Sequence, residues 1–178
     1  IEGNPFTGLM EIVREIKPTQ CTLVPDDPNQ STSDHGWDVV KDGARVEPII
    51  RELQELGIRV SLFMDPDLTQ IERVVELKPE RIELYTEPYA AAFHTDHFDE
   101  VLQQYREAAT LSQQLNLGVN AGHDLNLDNL SALLTILGIL ECSIGHALTA
   151  EALTYGITTT VKKYLNIMSA TQIDADAA

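Results

Sequence analysis

The chain has 178 residues, of which 43% are hydrophobic, and a formal net charge of −16 at pH 7. This length predicts one domain with a single sizeable core. The acidic balance disfavours nucleic acid and anionic membranes as partners, because both require a basic face. No apolar run approaches the ~20 residues of a membrane span. No signal peptide opens the sequence, and the two cysteines are expected to be buried packing residues, so we expect a cytoplasmic protein.

Short apolar segments alternate with amphipathic segments along the chain. Clusters of Val, Ile and Leu predict the end of a strand at 1–3 and further strands at 21–25, 59–65, 81–86, 117–123 and 142–146. Helical spacing of apolar residues predicts helices near 9–16, 46–56, 71–75, 98–109, 127–137 and 161–168. Pro48 is expected near the first turn of the second helix, and Gly138 at the end of the fifth. Residues 1–168 are expected to form the domain, and 169–178 a flexible C-terminal tail.

Strict alternation of strands and helices predicts an α/β protein with parallel strands and right-handed crossovers. A doubly wound sheet is one possibility. A (β/α)₈ TIM barrel is favoured, because every strand ends on polar or special residues that would face the same end, where barrels hold their sites. Six strands would then be the C-terminal six βα units of the barrel, with the first two strands absent from this chain.

Several strand ends carry candidate catalytic carboxylates. Glu83 lies between Ile82 and Leu84, so the alternation of the strand points it into the barrel. A carboxylate there requires a partner or a raised pKa, and both are typical of functional sites; pairing with a buried Lys or Arg is the structural alternative. Glu2 ends the first strand and is either a general base or simply a solvated residue. Asp65 is expected to cap the helix that follows it.

Two strands end in a Gly–His pair. Gly122 would let a ligand approach the backbone closely, and His123 would stand at the rim, where a group that titrates near neutral pH can act as acid or base. Gly145 and His146 follow the last strand, and their N–H groups could form an anion cradle. A structural role as a hydrogen bonder is the alternative for each histidine.

A polar loop follows the second strand and reads "NQSTSDHGWD". Its hydroxyl-bearing residues, Thr32 among them, could donate hydrogen bonds to a substrate. Solubility of an exposed loop would explain the same composition. The sequence leaves this choice open.

Six segments, in this order, closely resemble the pyridoxine 5′-phosphate synthase family: "IEGNP", "LVPDDPNQSTSDHGWD", "VSLFMDPD", "RIELYTEPYA", "VNAGHDLN" and "SIGHAL". The resemblance extends to about Met168. It implies a (β/α)₈ barrel with extra helices, assembled as a homo-octamer. It also implies a transferase that condenses 1-deoxy-D-xylulose 5-phosphate with 3-amino-2-oxopropyl phosphate to give pyridoxine 5′-phosphate, phosphate and water, without a metal or an organic cofactor.

The resemblance also implies roles for individual residues. Glu2 matches the general base, His123 the general acid, and Glu83 the buried carboxylate that stabilises charge in the transition state. The matched substrate-binding residues are Thr32 for deoxyxylulose phosphate and Asp124, Gly145 and His146 for the aminoketone phosphate.

The chain departs from the family in two places. Position 124 is usually Gly in the family, and Asp124 there would pay a conformational cost at positive φ. The family's first-strand "NIDH" and second-strand "HLRED" segments, which carry another catalytic His and phosphate contacts, have no counterpart. We therefore expect no turnover by the isolated 178-residue chain.

Two other classes of function stay open at this point. A metal-dependent barrel isomerase or hydrolase could use carboxylates and histidines at the strand ends as ligands; the candidates are Glu2, Glu83, His123 and His146. A non-catalytic subunit of an oligomer is the second alternative.

Overall fold

A computed structural model describes residues 1–176 of the chain, and the side-chain environments of residues 1–170. The strands are β1 (Glu2–Gly3), β2 (Gln20–Leu23), β3 (Arg59–Met64), β4 (Arg81–Tyr85), β5 (Gly118–Gly122) and β6 (Ile139–Ser143). The helices are α1 (Met10–Ile16), α2 (Val39–Glu55), α3 (Leu68–Val74), α4 (Glu87–Ala92), α5 (Phe98–Gln114), α6 (Leu130–Leu133), α7 (His146–Tyr155) and α8 (Ile157–Asp176).

The six strands form one sheet in which each strand pairs with the next along the chain, in the order β1 to β6. Every pairing is parallel. The predicted α/β class and the parallel arrangement are confirmed. The sequential order excludes the doubly wound alternative, in which the strand order reverses near the middle of the sheet.

The sheet is curled. Nε2 of Gln20 on β2 donates to Oε2 of Glu141 on β6 over 3.0 Å, although three strands lie between them. Four spacings of about 4.8 Å would hold these residues roughly 19 Å apart in a flat sheet. Arg59 on β3 also reaches Glu141, over 2.9 Å. These bonds across the concave face define a curled, partial barrel.

Alternation along the strands separates two layers of side chains. One set packs outward against the helices and forms the main core, as Val60 and Leu62 of β3 do with Ile50 and Leu53 of α2. The other set faces the concave side, where polar side chains lie near the amino ends of the strands. Above them are Thr22, Ser61 and Glu83, all buried. The concave side therefore carries the functional groups, and the helical side supplies the core.

The last strand lies earlier than predicted. We expected it at 142–146, but β6 ends at Ser143, and His146 is the first residue of α7. The turn before it explains the difference, because Gly138 has φ +82° and the strand begins directly after it. Gly145 caps α7, so the second Gly–His pair opens a helix and does not end a strand.

Two helix predictions were also wrong in detail. Pro48 lies inside α2, because Asp38 caps that helix far upstream by accepting the N–H of Lys41. The fifth predicted helix, expected over 127–137, is reduced to α6. Asn126 and Asn129 hold the preceding segment in a polar turn by accepting backbone N–H groups, as these residue types commonly do.

The C-terminal helix is longer than expected. We placed the end of the domain at residue 168, but α8 continues through Asp176. Positions 177 and 178 of the proposed tail lie outside the described residues, and the flexibility of the tail stays a prediction. No helix in the described part of the chain is long and apolar enough to cross a membrane.

Candidate active site

A cavity of about 440 Å³ opens at the carboxyl ends of the strands. All seven candidate site residues predicted from the sequence line it: Glu2, Thr32, Glu83, His123, Asp124, Gly145 and His146. They come from β1, β4, the ends of β5 and β6, and the loop after β2. The fold brings the whole predicted set together.

Glu83 is the most deeply buried of these residues, with 2% of its surface exposed. The expected alternative, pairing with Lys or Arg, is not found among the described residues. Instead, Oγ1 of Thr22 donates to Oε2 of Glu83 over 3.1 Å, and Ser143 also hydrogen-bonds to this carboxyl group. Burial, assisted by the nearby charge of Glu2, raises the pKa of Glu83 to about 7, although both hydrogen bonds oppose the shift.

Gly122 provides the space that Glu83 occupies. A Cβ atom added at Gly122 would lie 2.1 Å from Oε1 of Glu83 and 2.9 Å from Cβ of Ser143. We expected this glycine to let a ligand approach the backbone. The close approach does exist, but the approaching group is a carboxyl of the neighbouring strand β4.

Glu2 lies at the edge of the sheet, where it keeps solvent exposure. The protein atoms around it still remove part of its hydration, and this desolvation raises the pKa of Glu2 above its usual range. The charge of Asp26 acts in the same direction, whereas the charge of His123 opposes it. Glu2 and Glu83 are therefore two carboxyl groups in one cavity whose pKa values are both raised.

His123 is held from several sides. Its Nε2 lies 3.0 Å from Oγ1 of Thr32, and its Nδ1 lies 3.3 Å from Oδ2 of Asp124. The ring stands nearly perpendicular to that of Tyr85, with 5.1 Å between the centroids, and Thr86 Oγ1 donates to the His123 carbonyl. His123 has φ +97°, a strained conformation for a side-chain-bearing residue and one that clusters at functional sites.

Asp124 has φ +55°, in the left-handed region. Asp tolerates this region better than most residues, and Nδ2 of Asn129 donates to the Asp124 carbonyl over 3.1 Å, which holds the turn. The carboxylate of Asp124 faces Nδ1 of His123. An acceptor on that side favours a proton on Nδ1, so that Nε2 accepts from Thr32 in the neutral ring and carries a transferable proton in the imidazolium.

The amino end of α7 forms part of the cavity wall. Gly145, His146 and Ala147 line it, and α7 is a ten-residue helix capped by Gly145. The first N–H groups of an α-helix have no partner within the helix, and its amino end carries partial positive charge. An anion can therefore bind here in spite of the acidic balance of the chain.

Sequence reasoning missed six residues that line the cavity: Asp26, Phe63, Leu125, Ser143, Ile144 and Ala147. Asp26 and Ser143 could have been found, because Asp26 lies three residues after β2 and Ser143 is the last residue of β6. Phe63 reads as an ordinary core residue. It packs with Val24 and Tyr85 in a small cluster on the concave side.

Asp65 was assigned the wrong role. The residue that caps α3 is Asp67, whose carboxylate accepts the N–H groups of Thr69 and Gln70. Asp65 instead accepts the backbone N–H of Gly36 and thereby holds the far end of the loop after β2. Two acidic residues flank one proline, and the sequence does not distinguish between them.

A metal site, the alternative considered from the sequence, would require a cluster of ligands. In the described part of the chain, no three His, Cys, Asp or Glu side chains are placed to hold a metal ion. The four candidate ligands line one cavity, and two of them have other partners: Glu83 bonds to Thr22 and His123 to Thr32.

Solved structures share the fold at low sequence identity. A native KDPGal structure superposes with a TM-score of 0.58 at 12% identity and covers 94% of this chain and 68% of its own. The crystal structure of the Amycolatopsis orientalis BexX/CysO complex has a TM-score of 0.58 at 15% identity, over 92% of this chain and 61% of its own. At such identities the likeness concerns the fold alone.

Sequence relatives are much more similar. A protein named pyridoxine 5′-phosphate synthase from Xylella fastidiosa (strain 9a5c) is 46% identical over 176 residues, which cover 94% of this chain and 68% of the relative. Its namesake from Xanthomonas campestris pv. campestris (strain B100) is 46% identical over 177 residues, or 95% of this chain and 69% of the relative. The model of the family "Pyridoxal phosphate biosynthesis protein PdxJ" matches residues 1–170. The chain therefore belongs to the PdxJ family.

Proposed function

We propose that the protein acts as a pyridoxine 5′-phosphate synthase, the activity for which its relatives are named. The reaction joins 1-deoxy-D-xylulose 5-phosphate to 3-amino-2-oxopropyl phosphate and releases pyridoxine 5′-phosphate, phosphate and water. General acid and base groups carry it, without a metal or an organic cofactor. The observation that carries the proposal is the convergence of Glu2, Glu83 and His123 on one cavity.

The reaction requires several proton transfers, in Schiff-base formation, in the eliminations and in ring closure. Groups that titrate close to the working pH are the most efficient at such transfers. Glu2, with its raised pKa, serves as the base that removes protons. His123 serves as the acid, with Nε2 facing Thr32 and the cavity. Glu83, whose pKa is about 7, stabilises positive charge that develops on the ring-forming atoms.

Both substrates carry a phosphate, and the chain has to bind them against its own net charge of −16. The amino end of α7 is suited to hold the aminoketone phosphate through backbone N–H groups, with Gly145 and His146 at the contact and Asp124 at its border. Thr32 is placed to contact deoxyxylulose phosphate from the loop. The curl of the sheet and the family membership also support a complete (β/α)₈ barrel as the architecture of the enzyme.

Assembly and location are part of the same proposal. We propose a homo-octamer in the cytoplasm, as the family resemblance implies. Large apolar side chains exposed near the end of the chain favour self-association; the most exposed are Leu153, Ile157 and Leu165.

The test uses the complete reading frame that encodes this chain, incubated with both substrates in EDTA. Formation of pyridoxine 5′-phosphate, followed by its fluorescence, is expected only when both substrates are present. Glu2→Gln should lower kcat by about 10²-fold or more if Glu2 is the base. Product that requires added divalent metal, or that survives Glu2→Gln unchanged, would contradict the proposal.

A further inference from the structure

Asp26 lies on the wall of the cavity, three residues after the end of β2. Neither the family resemblance nor the sequence pattern gives it a role. Its backbone carbonyl accepts Nδ2 of Asn4 over 2.7 Å, which ties it to the segment that follows Glu2. One carboxylate oxygen, Oδ1, is buried without a hydrogen-bond partner among the described residues. A buried carboxylate oxygen without a partner is rare and requires an explanation. A strong hydrogen bond to the other oxygen would be one.

The remaining bond goes to the loop that begins at Asp26. Oγ of Ser33 donates to Oδ2 of Asp26 over 2.7 Å. Ser33 is 6% exposed, whereas its neighbours Ser31, Thr32 and Asp34 are exposed. One residue of a polar loop is thus turned inward, and its hydroxyl bonds to a charged acceptor, which is the stronger class of hydrogen bond.

The loop returns to the sheet a few residues later. Gly36 packs against the backbone of β3 so closely that an added Cβ would lie 2.2 Å from the amide nitrogen of Asp65. The backbone N–H of Trp37 then donates to the Phe63 carbonyl over 2.9 Å. The loop is therefore fixed at both ends, and the Asp26–Ser33 bond fixes its middle.

Thr32 stands directly before Ser33, and its Oγ1 lies 3.0 Å from Nε2 of His123. Ser33 points to Asp26 and Thr32 points to His123. The Ser33–Asp26 bond fixes the backbone at this place and therefore positions Thr32 against His123. We infer that Asp26 and Ser33 are positioning residues, which hold the loop so that Thr32 contacts both His123 and the substrate that the loop binds. This inference rests on the proposed function for its kinetic consequences, but its structural consequence can be measured without catalysis.

The kinetic test compares Ser33→Ala with Ser31→Ala in the complete enzyme. Ser31 is exposed on the same loop and does not line the cavity, so its variant should behave as the wild type. Loss of a hydrogen bond to a charged group predicts an increase of about 10-fold in KM for deoxyxylulose phosphate in Ser33→Ala. The KM for the aminoketone phosphate should not change, because α7 holds that substrate. Ser33→Thr, which keeps the hydroxyl, should restore the KM.

A double-mutant cycle separates positioning from general loop damage. If Ser33 acts through Thr32, Ser33→Ala should have no further effect on the KM in a Thr32→Ala background. Additive effects, or equal increases in both KM values, would overturn the inference. Asp26→Asn should keep the KM for deoxyxylulose phosphate near the wild-type value, because an amide oxygen can still accept the hydrogen bond from Ser33. Asp26→Ala should raise this KM as much as Ser33→Ala does.

Hydrogen exchange of residues 27–35, measured by mass spectrometry, tests the structural part alone. Exchange should accelerate in Ser33→Ala and Asp26→Ala, and not in Ser31→Ala. If exchange does not change in these variants, the positioning role is wrong even if the enzyme is a synthase. If exchange accelerates but no variant or wild type forms product, the positioning role holds and the proposed function fails.

Discussion

The carboxyl group of Glu83 occupies the space that a side chain at Gly122 would need. Gly122 pairs with Tyr85 on the neighbouring strand, two residues beyond Glu83, and a Cβ there would lie 2.1 Å from Oε1. This relationship explains why a glycine precedes His123: the position has to be empty for a buried carboxyl to reach the cavity.

Gly122→Ala should therefore displace Glu83. Overpacking of this kind costs about 1–3 kcal/mol of stability, and a displacement of about 1 Å in a catalytic group can lower kcat about 10²-fold. Urea unfolding and kcat measure the two effects. In a Glu83→Ala background the stability cost should fall, because the contact at 2.1 Å is gone and the 2.9 Å contact with Cβ of Ser143 remains.

Gly145→Ala is the matched control for stability, since nothing lies within 4 Å of a Cβ at that position. It should leave the free energy of unfolding nearly unchanged. Equal destabilisation by Gly122→Ala with and without Glu83 would show that the carboxyl is not the group displaced.

The pKa of Glu83 predicts a pH dependence of stability. Burial, with the charge of Glu2, raises this pKa from 4.5 to about 7 in the folded protein. The folded state therefore favours the protonated group, and the stabilisation that is fully present below pH 4.5 is lost as the pH rises through about 7. The side chain in Glu83→Gln does not titrate, so this variant lacks the contribution of Glu83 to the pH dependence of stability.

Urea unfolding at pH 5 and pH 8 tests this linkage. Relative to Glu83→Gln, the wild type should lose about 2 kcal/mol between these two pH values. Parallel pH dependence of the two proteins would contradict a raised pKa at Glu83.

Thr22 should tune the same carboxyl group. Its hydroxyl donates to Oε2 of Glu83, and this bond lowers the pKa against the effect of burial. Thr22→Val should therefore raise the pKa of Glu83 further, whereas Thr22→Ser, which keeps the hydroxyl, should change it less. Titration of the Glu83 carboxyl by ¹³C NMR measures the shift, and a lowered pKa in Thr22→Val would be the wrong sign.

Glu141 joins four strands on the concave face. It accepts from Arg59 over 2.9 Å and Arg81 over 2.6 Å, and from Gln20 and Asn120. Because the group is partly exposed, we expect Glu141→Gln to cost about 1–2 kcal/mol of unfolding free energy, less than a fully buried network would.

Glu47→Gln is the control for this network. Among the described residues, Glu47 forms an ion pair with Arg51, one turn away on the surface of α2, and such pairs contribute about 0.5 kcal/mol or less. If the two variants are equally stable, the bonds across the curled sheet do not stabilise the fold.

The sequence predicted the parallel sheet and the convergence of the site, because both follow from local patterns. Short runs rich in Val, Ile and Leu predicted β3 and β4, and the polar residues at the strand ends predicted the rim of the cavity. Parallel strands always bring their carboxyl ends to the same edge of a sheet. Glu2, Glu83 and His123 could therefore be placed together without knowing any distance.

The errors came where a local pattern has two outcomes. In "DPD", either Asp65 or Asp67 can cap a helix, and the choice depends on Gly36, which reaches Asp65 from another loop. The partner of Gly122 could not be predicted either. Glu83 is 39 positions earlier in the chain, and only the pairing register of β4 and β5 brings the two together.

The most direct test is the effect of His123→Ala on formation of pyridoxine 5′-phosphate by the complete enzyme in EDTA. Removal of the general acid should lower kcat by 10²- to 10⁴-fold, while the cavity, the fold and the binding of both phosphates persist. Abundant product from the wild type and this loss in the variant are the predicted result. Undiminished product in His123→Ala, or none from the wild type with both substrates supplied, would contradict the assignment of this cavity as the active site of a synthase.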